Sequence, residues 1–184
     1  MQFEVHPSGS PVDAGTRADV LAAPAFGRVF TDHMVTVDWT VELGWHDARL
    51  SPYAPVLVDP ASVVLHYGQT VFEGLKAFRQ PDGGVALFRP ERNAARLTRS
   101  SARLALPSFP EEAFVQACDL LVRTDAAWVP DGEGATLYLR PFIYATEVGL
   151  GVRPSDSARF QVIASPAAAI SGVIDLNGSA MDGS

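Results

Sequence analysis

The sequence is poor in several residues that usually carry chemistry. Its 184 residues contain one cysteine and one lysine. Cys118 has no second cysteine to pair with, and no Cys/His cluster shows zinc-site spacing, so a disulfide framework and a zinc-held scaffold are excluded. Cys118 lies in an apolar helical pattern and is expected in the core, not as a nucleophile. No apolar run reaches membrane-spanning length, and Met1–Pro7 has no basic segment followed by an apolar run, so neither a spanning helix nor a signal peptide is expected. Basic residues are outnumbered 14 to 21, a formal net charge of −7, which argues against nucleic acid as the main partner. The glycine-rich stretch Val148–Pro154 fits neither the phosphate-loop nor the dinucleotide spacing. These absences together predict a cytoplasmic protein.

Apolar residues are abundant, at 47%, enough for a sizeable core in one domain, or one domain plus a fragment. The most informative stretch is Leu87–Leu104. Its arginines fall at 89, 92, 96, 99 and 103, steps of three and four that put all of them on one side of a helix. Ala94, Leu97, Ser101 and Leu104 repeat at the same spacing and mark the packing side. Pro90 suits a first helical turn, where its missing N–H is harmless. A cationic helix face in an acidic protein is either solvated or holds an anion.

Residues 1–25 are turn-rich with little periodicity and read as an extension that wraps a surface or stays mobile. Phe26–Trp39 reads as extended; His33 and Asp32 within it are expected to make structural hydrogen bonds. Asp59 can cap a short helix with Pro60 at its first position, and Val64, Tyr67, Val71 and Gly74 continue at helical spacing. Leu75–Arg79 and Val85–Phe88 read as a hairpin around the turn Pro81–Gly84. Ser108 and Glu111 form a capping-box pattern for a helix running to about Ala127. In Ala135–Arg140, Leu137 and Leu139 point one way and Thr136, Tyr138 and Arg140 the other. Tyr138 and Arg140 are then either a solvated edge or the floor of an anion site. Pro141 suits an edge or a bulge beside a site. Phe160–Ser165 reads as a last buried strand. Runs of strands with helices between them predict an α+β fold with a mainly antiparallel sheet.

Five segments, Phe26–Met34, Leu65–Phe78, Leu87–Arg96, Arg103–Phe109 and Leu137–Glu147, resemble in order and spacing the class IV pyridoxal-phosphate-dependent aminotransferases, specifically the branched-chain amino acid aminotransferases. The resemblance covers about residues 24–168. It implies the small N-terminal domain of the fold-type IV enzymes over residues 26–168, and pyridoxal 5′-phosphate as cofactor. By position, Arg96 resembles the arginine that binds the cofactor phosphate, a role that suits a guanidinium fork. Phe26, Tyr67, Phe72, Tyr138 and Arg140 resemble residues that line the substrate pocket. The implied reaction moves an amino group between leucine, isoleucine or valine and 2-oxoglutarate, with glutamate as the acidic partner. A family-type homodimer is implied for a complete chain, and no metal.

The pattern breaks in two places. The family's Schiff-base lysine lies in a second domain, and the lysine here, Lys76, does not match its position, so no catalytic residue is assigned. After Pro166 the match fails, and residues 169–184 read as a divergent flexible tail. The resulting expectation is a truncated small domain, incompetent alone. The alternatives are another class IV enzyme, a D-amino acid aminotransferase or aminodeoxychorismate lyase, and a non-catalytic binding or dimerisation module. Tyr138–Arg140 and Phe72–Phe78 favour the branched-chain type.

Overall fold

The computed structural model describes residues 1–132 and 134–168; the predicted tail at 169–184 lies outside them. The chain runs β1 (Glu4–Val5), α1 (Ala14–Ala22), β2 (His33–Thr40), β3 (Gly44–Pro52), α2 (Val63–Tyr67), β4 (Thr70–Phe72), β5 (Leu75–Arg79), β6 (Val85–Leu87), α3 (Pro90–Arg103), α4 (Glu111–Thr124), a 3₁₀ turn (Ala126–Trp128), β7 (Thr136–Ala145) and β8 (Ser157–Ala167). The strands form one sheet in the order β1-β3-β2-β8-β7-β5-β6, with β4 also on β7. Every pairing is antiparallel except β1 with β3. The α+β expectation with a mainly antiparallel sheet therefore holds.

Alternation along β7 divides the sheet into two faces. Leu137, Leu139 and Ile143 are fully buried and pack with Leu97 of α3 and Phe114, Ala117, Cys118 and Leu121 of α4. Phe109 stacks on Phe160 at 3.9 Å between ring centres, and Trp45 meets Phe109 edge-on at 4.8 Å. The other face carries Tyr138, Arg140, Phe142 and Tyr144 and is only partly covered, by Phe30 and the segment 53–58. Cys118 is buried in the core as expected, and burial pushes its thiol pKa up.

Several local expectations are corrected. The helical spacing of Val64, Tyr67, Val71 and Gly74 does not continue: Gly68 takes the left-handed conformation at φ 60° and ends α2, and Val71 enters β4. Asp59 does not cap a helix; its side chain accepts from the Ala61 N–H in a tight turn, and α2 starts after Ser62. Ser108 does not cap α4, which begins after Pro110 and ends at Thr124, not near Ala127. The Ser108 carbonyl instead accepts from the Trp45 indole at 2.8 Å, because Phe109 is committed to the core stack. The extended stretch begins at His33, with residues 26–28 in a turn.

Residues 1–25 contain α1, which the sequence analysis does not anticipate. Asp13 caps it by accepting from the N–H groups of Gly15 and Thr16. The arm is tied down where His33 and Asp32 make the structural hydrogen bonds expected of them. The Ser8 N–H donates to His33 Nε2 at 2.8 Å, so the His33 Nδ1–H donates to Asp125 at 2.6 Å. Asp32 accepts from the Val12 N–H and from the Trp128 indole. Pro141 lies within the central strand β7, where the neighbouring chain passes from β4 to β5. Its carbonyl accepts from the Glu73 N–H at 2.8 Å, so its missing donor faces that corner between two strands, and not a sheet edge as expected.

Candidate active site

Phe72, Glu73 and Gly74 link β4 to β5 and point in two directions. Phe72 lies on the open face and is 62% exposed; Glu73 points to the helix face and is 2% exposed. On the open face, the Arg140 guanidinium carbon sits 4.5 Å above the Phe72 ring. Two N–H groups of Arg140 donate to the Tyr138 hydroxyl, at 2.9 and 3.2 Å. Phe26 meets the Tyr138 ring edge-on at 5.0 Å. With Phe30, Ile163 and Ser165, the residues Phe26, Tyr138 and Arg140 line a cavity of about 230 Å³, and Phe72 packs on Arg140 beside it. Its wall is mostly apolar, and its polar groups converge at one end, an arrangement that suits a small molecule with a carboxylate and an aliphatic body. Gly74 backs onto Tyr138: a Cβ there would approach the ring, 2.9 Å from Cζ.

On the helix face, Glu73 meets Arg96 of α3 through a two-point fork. Arg96 Nε donates to Oε1 and Nη2 to Oε2, both at 2.6 Å. Asn93 also donates to Glu73 Oε2, at 2.8 Å, and to the Gly74 carbonyl, at 3.1 Å. Hydrogen bonding to Glu73, and then its charge, raises the Arg96 pKa further above its ordinary range. The Arg96 side chain is 60% exposed, and the fork engages Nε and Nη2, leaving Nη1 without a bond to Glu73. Among the described residues, Arg96 alone of the five arginines in the stretch is in an ion pair. Arg92, Arg99 and Arg103 are exposed, as a solvated basic face would be, and Arg89 precedes the helix with φ 49°.

The structure therefore brings Phe26, Phe72, Tyr138 and Arg140 together and places Arg96 behind the same corner. Tyr67 stands apart. It ends α2, donates to the Leu150 carbonyl at 2.6 Å and lines a separate cavity with Leu104 and Val152. Lys76 lies opposite Tyr138 in the β5–β7 register and is exposed. Among the described residues no cluster of metal-binding side chains occurs. Glu73, Asn93 and Phe30 are not among the site residues expected from the sequence. A signal for Glu73 is present: Val71, Glu73, Leu75 and Ala77 alternate, which puts a carboxylate on the core face, where it requires a cationic partner.

Comparison with known proteins decides the family. The chain is 59% identical over 168 residues to a probable branched-chain-amino-acid aminotransferase of Streptomyces coelicolor, covering 91% of this chain and 46% of that protein. It is 52% identical over 170 residues to the Mycolicibacterium smegmatis branched-chain-amino-acid aminotransferase, again 92% of this chain and 46% of that one. The chain belongs to the branched-chain amino acid aminotransferase family. It spans about half the length of the curated relatives it matches. The solved Escherichia coli branched-chain amino acid aminotransferase superposes with a TM-score of 0.57 at 28% identity, over 69% of this chain and 40% of that one. Another branched-chain aminotransferase, solved with pyridoxamine 5′-phosphate, gives a TM-score of 0.56 at 26% identity, over 74% and 41%. The fold is the small N-terminal domain of these enzymes. No family model matches the chain. Among the described residues no helix is long and apolar enough to cross a membrane.

Proposed function

We propose that this chain is the substrate- and phosphate-recognising part of a pyridoxal-phosphate-dependent branched-chain amino acid aminotransferase. The observation that carries the reading is the Arg140–Tyr138 pair beside Phe72 and Phe26: a cation and a hydroxyl at one end of an apolar cavity. Arg140 binds and orients the carboxylate of leucine, isoleucine or valine, and of glutamate or 2-oxoglutarate. Tyr138, whose oxygen already accepts from Arg140, keeps its own hydrogen to donate. Phe26 and Phe72 exclude water from the aliphatic side chain. Arg96 binds the cofactor phosphate through the side of its guanidinium that Glu73 leaves free. The fit is chemical: an anion is offered a protonated fork in a chain that is otherwise acidic. When bound, pyridoxal 5′-phosphate supplies the electron sink for moving the amino group. One solved relative is found with N-(5′-phosphopyridoxyl)-L-glutamate and, in a second structure, with 4-methylvaleric acid, which supports both ligand classes.

The reading extends to a homodimer for the whole protein and to the cytoplasm. Exposed Leu65, Tyr67, Val148, Leu150 and Val152 form apolar surface that a partner would cover. In this reading Tyr67 lines the substrate site from that surface and not from the cavity beside Tyr138. The test is a titration with 4-methylvalerate, followed by NMR of the Phe26 and Tyr138 rings. Saturable binding is expected, weakened roughly five- to tenfold in Arg140→Ala, the range for one half-exposed charged hydrogen bond. The reading fails if the titration shows no saturable shift, or if the variant binds as tightly as the parent.

A further inference from the structure

We infer that Glu73 is a positioning residue: it holds the Arg96 guanidinium in the orientation that presents Nη1 to a phosphate. The inference rests on the reading of Arg96 as the phosphate residue. Arg96 is a long side chain, 60% exposed, on the outer side of α3. Such a side chain gains little order from the helix itself and loses its rotamer freedom on gripping an anion. Glu73 removes that freedom in advance. Its carboxylate is 2% exposed and takes Arg96 at two points, which fixes the plane of the guanidinium as well as its place. The carboxylate is itself held. Asn93 donates to Oε2, and the Glu73 backbone N–H donates to the Pro141 carbonyl of the central strand at 2.8 Å. Arg96 is thus oriented from the rigid sheet, across to the helix.

The sign of the effect separates positioning from simple electrostatics. A carboxylate beside an anion site repels the anion, so by charge alone removing it tightens binding. If Glu73 acts by holding Arg96, removing its charge weakens binding even though the chain becomes less acidic. Glu73→Gln sharpens the contrast, because it keeps the shape of the side chain. Its amide nitrogen must face a donor of Arg96 or of Asn93, which breaks one arm of the fork.

The experiment is a ³¹P NMR titration of the full chain with pyridoxine 5′-phosphate, which carries the phosphate but no aldehyde to react with Lys76, and with inorganic phosphate. Parent, Glu73→Gln, Arg96→Ala, the double variant and Asn93→Ala are compared. Glu73→Gln is expected to weaken binding roughly three- to tenfold, tenfold being about 1.4 kcal/mol, and to have no further effect once Arg96 is alanine. Asn93→Ala is expected to weaken binding less, again only where Arg96 is present. Unchanged or tighter binding in Glu73→Gln, or an equal loss in the Arg96→Ala background, overturns the positioning role while leaving the phosphate reading in place. Unchanged binding in Arg96→Ala overturns the phosphate reading itself. If circular dichroism shows Glu73→Gln unfolded, Asn93→Ala decides by the same criteria.

Discussion

Gly74→Ala tests the geometry of the pocket with one methyl group. Gly74 is not in the left-handed region, so the backbone accepts alanine, and the whole effect is steric. The added Cβ meets the Tyr138 hydroxyl, with Cζ at 2.9 Å and Cε2 at 3.1 Å. The Tyr138 ring must move, and it has few directions available. Phe26 stands edge-on at 5.0 Å, Arg140 donates to the hydroxyl twice, and Lys76 and Ser165 flank it in the neighbouring strands. A ring that stays forces strain of about 1–3 kcal/mol into the corner. A ring that yields forfeits an aromatic pair worth about 0.5–1.5 kcal/mol and hydrogen bonds worth about 1 kcal/mol each. Either way the total is about 2–3 kcal/mol, divided between the stability of the fold and the affinity of the pocket. Chemical denaturation and 4-methylvalerate titration of the same sample read both parts. Unchanged stability together with unchanged affinity refutes the reasoning, because the methyl group would then have found room the structure does not offer.

The 184-residue chain is expected not to transaminate alone: Lys76, its single lysine, projects from β5 on the face of Phe78, away from the Glu73–Arg96 side. Leucine-to-2-oxoglutarate transfer above the protein-free cofactor background that disappears in Lys76→Ala contradicts this. At acid pH α1 is expected to loosen first. Hydrogen bonds from the Thr16 N–H, and then from its hydroxyl, hold the Asp13 carboxyl below its ordinary 3.8. Its contribution to folding is therefore complete above that value and is lost as pH falls through the lower folded pKa. Hydrogen exchange across residues 14–22 checks the point, and a pH response in Asp13→Asn matching the parent's argues against it.

The sequence is most legible where one periodicity governs a segment. The alternation of Leu137, Leu139, Tyr138 and Arg140 predicts both faces of β7, and Leu75–Arg79 is found as predicted. The spacing of Ala94, Leu97 and Ser101 predicts the buried side of α3, but Leu104, the fourth of that series, sits at the C-cap and is exposed, because the helix ends before it can turn inward. Tertiary contacts overrule the local signals elsewhere. A capping box at Ser108 is a sound local pattern, but Phe109 is buried in a stack on Phe160, and the helix starts only after Pro110. The series Val64, Tyr67, Val71 matches a helix only until Gly68 turns the chain. α1 has no fully buried residue, so it lacks the stripe by which a helix is read. Of the site, the resemblance supplies residue types, and the alternation of β7 supplies the pairing of Tyr138 with Arg140. The Glu73–Asn93–Arg96 cluster depends on α3 crossing behind the β4–β5 corner, a placement that no spacing within either segment encodes.

The opposite orientations of Phe72 and Glu73 constrain how such a protein can change. In the proposed reading these two adjacent residues serve different ligands, one through the aromatic wall and one through the guanidinium behind it. A one-residue slip of β4 would exchange their faces, placing the carboxylate against Arg140, where it would compete with an anionic ligand, and a phenyl ring against Arg96. Under the proposed roles, substrate preference and phosphate grip are therefore not independent traits. Insertions or deletions between Gly68 and Gly74 damage both at once, whereas replacements of Phe72 alone leave the Glu73 fork untouched. Directed evolution of side-chain preference should vary residue 72 and its facing neighbours while holding Glu73 and Gly74 fixed.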